Sequence, residues 1–463
     1  MKKNCVRSFA AMFVSLLLIQ NVVHAQTIQT TSVRFSTEIL PLLQKQFAPL
    51  LKHETGLRLD SWASVVAGSD EGQLVVPFDA GHSLLIQLAT QLDERDPLSE
   101  AAAAIPRADI ERVRRWINEG ARNDDSAVPF ANATNLLYVS DQSDAMVSVI
   151  DMDHNVVVRN IDLQAYGFPP NAKPHDTAVE PDGSYWYVSL IAANKVLKFS
   201  RDNRLVGQVD FERPGMMALD PTHDALYVGR SMAAVNPPQR IGVIKRSDMT
   251  IDEVDVFFAR PHAIAVDPRR DYVYSASLAE NRMASVDIKT GDIKLHTLDG
   301  PTHTLVQFAL SPDGTTLVVG GQLTGKVMFF DATHPPELPL LGTASVNAAP
   351  WHPVFTPNGK RVYIGNKNAN TVTVLDAETY KVLAVIKGKG LAQPHGAAVS
   401  PDGTHVYISN NDLKGMYSPR YRFKGDPHPG TVVVIGTATN KIEKIIEVGR
   451  YAAGISTRTM VRS

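Results

Sequence analysis

The stretch AVSPDGTHVYIS, from Ala398 to Ser409, decides the fold. A short run of small apolar residues meets Pro-Asp-Gly, and a strand with aromatic and β-branched residues follows. Pro-Asp-Gly is a tight-turn signal, since glycine takes a positive φ at no steric cost and proline presets the residue before the bend. The same phrase recurs as AVEPDGSYWYVS from Ala178, ALDPTHDALYVG from Ala218, AVDPRRDYVYSA from Ala265, ALSPDGTTLVVG from Ala309 and VFTPNGKRVYIG from Val354. The turn prolines 181, 221, 268, 312, 357 and 401 are spaced by 40, 47, 44, 45 and 44 residues. A period in the forties, with about four short strands per unit, predicts the blades of a β-propeller.

One unit shows the anatomy. After VFTPNGKRVYIG comes a third strand at residues 371–375, a turn at Asp-Ala-Glu-Thr from Asp376, and an outer strand at residues 381–386. The six complete phrases leave a seventh unit divided between the two ends. Residues 136–140, 146–150 and 156–161 supply three strands without an inner one, and Ala452–Thr457 supplies the missing strand. Closing the ring this way joins first and last blades and leaves no open sheet edge. An open six-bladed count is the alternative.

Residues 33–125 lack the repeat and read as mainly helical. Residues 38–51 have apolar positions near helical spacing, and residues 109–117 form an amphipathic helix capped near Ala108-Asp109 and stopped at Gly120. Residues 126–134 are the linker, and residues 135–463 are the propeller. At the N-terminus, Lys2, Lys3 and Arg7 precede an apolar run at residues 9–19 that is short for a membrane span, and Val23-His24-Ala25 offers a cleavage site before Gln26. Residues 1–25 are therefore expected to be a signal peptide, with the mature chain periplasmic or secreted and without a transmembrane segment. The single cysteine, Cys5, falls inside that segment, which removes disulfides, thiolate ligands and thiol nucleophiles from the mature chain. A formal charge of -2, without a basic tract, argues against nucleic acid as a partner.

The repeat region resembles the YVTN family of bacterial seven-bladed propellers. The Pro-Asp-Gly hairpins at 181–183, 312–314 and 401–403 carry the resemblance, with YIGNKNANTVTVLD from Tyr363 and YISN from Tyr407. The resemblance implies the fold; propellers host many activities. The N-terminal segment resembles a small c-type cytochrome domain through GLRLDSW from Gly56, VPFD from Val76, SLLI from Ser83 and VRRWINEGA from Val113. In that family the first helix ends in Cys-x-x-Cys-His, which attaches haem and supplies a ligand. Here Phe47, Leu50 and Leu51 stand in that place, and no methionine lies between Gln26 and Asp125. The resemblance implies a cytochrome c-like fold that has lost its haem, with no covalent haem. His53 and His82 are the residues left to ligate a non-covalent one.

Histidines recur where the inner strands begin. His175, His262 and His395 each follow a proline and lie six residues before a turn proline. His303 and His352 sit at the same stage, nine and five residues before theirs. Equal offsets from the turn put such residues in a ring around one end of the channel, and imidazole clusters suit copper or zinc. Histidines bonded to neighbouring carbonyls, with no metal, are the competing reading. The fourth in-register position is Gly215, followed by Met216, and His428 lies in a long insertion on the same face. Arg230, with Arg240, Arg282, Lys326 and Arg420, is read as lining that face for an anion or as ordinary surface charge. Two functions follow. One is an exported propeller that binds a metal, a ligand or a periplasmic protein partner at the channel mouth. The alternative is a copper-type oxidoreductase fed by an external redox partner. A lactonase-like hydrolase on the same fold has no residues in the sequence that single it out.

Overall fold

The structure is a computed structural model that describes residues 33–231, 239–425 and 428–458. The expected signal peptide lies outside the described residues. Among the described residues, 28 strands form seven four-stranded antiparallel sheets. Their inner strands touch one another around a ring: Ala452–Thr457 in blade 1, Pro174–Val179 in blade 2, Pro214–Leu219 in blade 3 and Pro261–Asp267 in blade 4. Leu305–Leu310, Pro350–Phe355 and Pro394–Val399 follow in blades 5, 6 and 7. Blade 1 is closed by the C-terminal strand, which pairs Thr457, Ile455 and Ala452 with Leu137, Val139 and Asp141. The ring is seven-bladed, and the six-bladed alternative is set aside.

The repeating phrase explains the packing. Its aromatic position is Tyr138, Tyr187, Tyr227, Tyr274, Tyr363 and Tyr407 in six of the blades, each buried against a neighbour. Two residues on, the side chain must be small. That position is Ser140, Ser189, Gly229, Ala276, Gly320, Gly365 and Ser409. A Cβ on Gly229 would stand 2.5 Å from the carbonyl oxygen of His262 in the next inner strand, and one on Gly320 would stand 2.9 Å from that of Pro350. The Ser189 hydroxyl instead donates to the Gly215 carbonyl at 2.8 Å, tying blade 2 to blade 3.

Residues 35–51 wind as a continuous but irregular helix, with wide turns at Phe35–Ile39 and Leu43–Phe47 around Leu40–Leu42, and a tight turn at Ala48–Leu51. Pro41 and Pro49 lack the N–H groups that regular turns would use. Helices Trp62–Ala67, Leu84–Thr90, Ser99–Ala103 and Arg107–Asn118 follow. The last starts at Arg107, before the Ala108-Asp109 cap expected from sequence. Pro106 keeps an extended ψ of 134° and starts the helix, and Asp109 falls in its first turn, where a carboxylate is favoured. One apolar core unites these helices and includes Phe47, Leu50, Leu51 and Trp116.

The blade-7 insertion fastens this segment to the ring. Tyr421 adds to the helical core. Its hydroxyl donates to the buried Glu54 carboxylate at 2.6 Å, and Arg420 donates to the same group at 3.2 Å. Leu92 forms a β-bridge with Phe423. On the blade-1 side, the Asn160 amide donates to Asp79 at 3.0 Å.

Candidate functional site

Each chain segment enters its inner strand through one residue in the left-handed region: Tyr451, Lys173, Arg213, Arg260, Thr304, Ala349 and Gln393 in blades 1 to 7, with φ between 48° and 61°. The carbonyl of each accepts the backbone N–H of the residue just past the second strand of its own blade. Those donors are Gln142, Ile191, Ser231, Leu278, Gln322, Lys367 and Asn411, at 2.7–3.2 Å. The bond fixes where each inner strand starts, so equivalent residues form rings at the mouth. The innermost ring is Ala453, His175, Gly215, His262, Val306, Trp351 and His395.

A β-bulge follows the first pair of most inner strands, including Pro350/Pro353 in blade 6 and Pro394/Ala397 in blade 7. In blade 6 the bulge contains both Trp351 and His352. This brings His352 to the cluster although it is one residue out of step. The ring centres of His352 and His395 are 4.9 Å apart, those of His175 and His395 5.6 Å, and those of His175 and His262 5.7 Å. Gly215 and Ala453, the small members of the innermost ring, separate His175 from its two neighbours and leave the imidazoles room to meet.

All four histidines are buried, with 2–7% of their surface exposed. The Nδ1 of His175 faces the Gln142 amide oxygen at 3.1 Å, and that of His262 faces the Val306 carbonyl at 2.7 Å. Oxygen acceptors there put the proton on Nδ1 and leave Nε2 with a lone pair, the form in which histidine binds metals. The Nε2 atoms of His175 and His352 and the Nδ1 of His395 are buried with no hydrogen-bond partner. Burial holds the cluster neutral: it pushes His175 down to about 3 and His262 to about 4, and takes His352 and His395 well below the usual imidazole range. The other charges acting on these rings are their neighbours in the cluster and Lys367. As the rings stand, no three His, Cys, Asp or Glu groups among the described residues are arranged to hold a metal ion.

Lys367 was not singled out in the sequence. Its ammonium lies 4.0 Å over the Trp351 ring, and burial lowers its pKa to about 8. The signal was positional: it is the blade-6 member of the ring of residues that follow the second strands. Asp176, beside His175, is fully enclosed. Burial raises it to about 7 against the opposing bonds from Met217 and Thr177, and its carboxylate accepts the Met217 N–H at 2.8 Å.

A family model described as "Lactonase, 7-bladed beta-propeller" matches residues 204–439, just over half of the sequence. The chain belongs to this lactonase-type propeller family. No curated protein matches the sequence. Among solved structures, a functionally unknown protein from Desulfotomaculum acetoxidans is similar at 15% identity with a TM-score of 0.56, covering 70% of this chain and 99% of that one. Kuenenia stuttgartiensis hydrazine synthase is similar at 17% identity with a TM-score of 0.52, covering 66% and 93%. A streptogramin B lyase gives 16% identity and a TM-score of 0.50, covering 59% and 86%. At these identities the likeness is one of fold.

In this lactonase-type propeller the remaining residues expected at the mouth lie elsewhere. His303 stands apart from the four rings: its Nδ1 meets the Thr324 hydroxyl at 2.8 Å and its Nε2 the Asp299 carbonyl at 3.3 Å. Met216 points between blades and packs in the core with Tyr227, Phe258 and Ile264. Arg230 is 1% exposed and internal, paired with Glu212 at 3.4 Å and Glu253 at 3.0 Å. Arg240 and Arg282 are paired with Asp255 and Glu280, and Arg420 serves the helical joint. His428 is exposed on the insertion, beside Gly415.

Proposed function

We propose that this chain is an exported propeller whose channel mouth binds one transition-metal ion, copper or zinc, through His175, His352 and His395, with His262 completing the set. The carrying observation is that three buried imidazole nitrogens in one cluster of touching rings have no partner. Leaving a buried acceptor unsatisfied costs roughly 1–3 kcal/mol each, and one cation satisfies all three. The spacing supports the reading. With metal–nitrogen bonds near 2.0–2.1 Å, two imidazoles at the tetrahedral angle have ring centres about 5.2 Å apart. The observed separations of 4.9–5.7 Å bracket that value, so turning rings in place suffices. All-imidazole sets suit copper and zinc over hard cations.

Haem does not fit the helical segment. Phe47 and Leu50 are fully buried and Leu51 nearly so, in the core where the attachment motif of a cytochrome would be, while His53 and His82 are exposed. The reading of this segment as a cytochrome c-like fold without haem rests on that filled core and on the motifs of its sequence.

The test is metal analysis of the full chain expressed with its export segment and purified from the periplasm, before and after chelation and reloading. About one copper or zinc per chain is expected. A chain that stays below about 0.1 metal per molecule after reloading with either ion would sink the proposal. An absorption band of the copper-loaded protein that changes with reductant would favour the oxidoreductase version of the same site.

A further inference from the structure

Among the described residues, the cations at the mouth that lack an ion-pair partner are not the arginines that stand out in the sequence, and Arg213 only donates to the Ile191 carbonyl at 3.4 Å. Three consecutive blades enter their inner strands through Lys173, Arg213 and Arg260. Lys173 is exposed and the two arginines are half-buried. The carboxylates beside them in sequence or space are already engaged. Glu212 pairs with Arg230, and Glu280 pairs with Arg282 while accepting the Ala259 N–H. Across the mouth, Lys367 sits over Trp351 with no ion-pair partner among the described residues. Two buried carboxyls on this side of the ring accept backbone groups: Asp176 the Met217 N–H, and one oxygen of Asp412 the N–H groups of Met416 and Tyr417, while the other Asp412 oxygen is buried without a partner.

We infer that the ligand of this mouth is a small oxyanion, a carboxylate or a tetrahedral anion such as sulfate, held at Lys367 and drawn in past Lys173, Arg213 and Arg260. The inference rests on the metal reading and names the class of molecule the site takes. Neutral imidazoles add no negative charge, so a divalent ion with Lys367 nearby leaves a strongly positive centre in a dry, narrow place. Such a centre is stabilised by an anion that reaches both. Lys367, Arg213 and Arg260 are half-buried and Lys173 is exposed, and cations gathered around one opening concentrate anions from solution. The close burial of the histidines limits the ligand to a small group or to one end of a longer molecule.

The experiment is calorimetric titration of the full mature chain with acetate and with sulfate at low ionic strength, in metal-free and zinc-loaded forms, with metal content measured on the same samples. Saturable binding of one anion per chain is expected, at least tenfold weaker in Lys367→Met and near wild type in Lys367→Arg. The combined Lys173→Gln, Arg213→Gln and Arg260→Gln variant should bind several-fold more weakly, with a flatter dependence on salt. Tighter acetate identifies a carboxylate ligand, and tighter sulfate a tetrahedral one. Binding of neither anion, or equal binding by Lys367→Met with an unchanged melting transition, overturns the inference. The two readings fail separately. Zinc held without anion binding removes only the anion site. Anion binding that depends on Lys367 in a chain that holds no metal removes only the metal.

Discussion

The two ends of the propeller use histidine in opposite ways. At the end where the hairpins lie, His154 pairs with Asp151 at 2.5 Å, His223 with Asp220 at 2.9 Å and His405 with Glu443 at 3.1 Å. In the first two the carboxylate is three residues earlier, and both histidine side chains are about half exposed. In each the histidine reaches solvent while a carboxylate completes its hydrogen bonding; Asp151 and Asp220 are themselves buried. At the mouth, four imidazoles are buried together, the charge outside the cluster that acts on them is Lys367, and three of their nitrogens face no partner. The same residue type is a completed hydrogen-bonding partner where a carboxylate meets it, and a candidate ligand where the fold withholds one.

The most damaging change should be to remove residues 452–463. The mouth loses Ala453 between His175 and His395, and the strand Leu136–Asp141 keeps Met146–Asp151 but loses its inner partner. Light scattering should show aggregates or higher oligomers. A monomer with the full-length melting transition would mean that the mouth does not need the closed ring. Next comes metal content. His175→Ala and His395→Ala should drop to below about a tenth of the wild-type occupancy, since each removes a ligand. His154→Ala and His223→Ala should keep all of it. Equal loss from both pairs would erase the distinction between the ends.

A glycine at each end gives a smaller contrast. A Cβ on Gly454 would lie 2.4 Å from the His175 carbonyl oxygen, backbone that has little room to move. Gly454→Ala should cost about 3 kcal/mol in urea unfolding. Gly183, in a hairpin at the other end, has open space around it and a φ of +70°. Gly183→Ala should cost only the left-handed strain, about 1–2 kcal/mol. The reverse order would show that the mouth is the looser end.

The smallest effect concerns a histidine at the helical joint. The bond from Asp79 raises the pKa of His82. Burial would raise that of Asp79, but the bond and charge of His82 outweigh it and hold it low. The histidine's contribution is complete below about pH 6.5 and is lost as the pH rises through its raised folded value; the aspartate's is present above about 3.8 and is lost as the pH falls through its lowered one. His82→Gln should therefore lower the melting temperature most between about pH 4 and 6.5, by at most about 1–2 °C because His82 is half exposed, and hardly at all above about pH 8. A constant difference across that range would assign the effect to packing.

The ring was legible in the sequence because each blade's register is pinned by a short turn with few alternatives. The spacing of six prolines and the unpaired strands at residues 136–161 left a place for Ala452–Thr457. The mouth was legible in part. His175, His262 and His395 could be placed together because equal offsets from a turn mean equal places in a ring. His352 reached the group through a bulge, which no spacing announces. His303 was lost to local partners, Thr324 and Asp299. The burial of Arg230 is not legible from spacing, because its partners, Glu212 and Glu253, meet it only through strand pairing and loop packing. Apart from its position after the second strand, Lys367 carries no signal in the sequence, because its setting depends on Trp351 beneath it, a relation that exists only once blade 6 is folded.

The ring of left-handed residues has a bearing on how such a surface can change. Its hydrogen bonds run from main chain to main chain within each blade, so no side chain takes part in fixing where an inner strand starts. Tyrosine, lysine, two arginines, threonine, alanine and glutamine occupy the seven places and tolerate the same backbone twist. A lineage, or a designer, can therefore rewrite the chemistry at the opening one blade at a time without renegotiating the scaffold. Seven interchangeable sockets around a fixed axis allow new recognition to arise by single substitutions, each tested against a frame that the others have already secured.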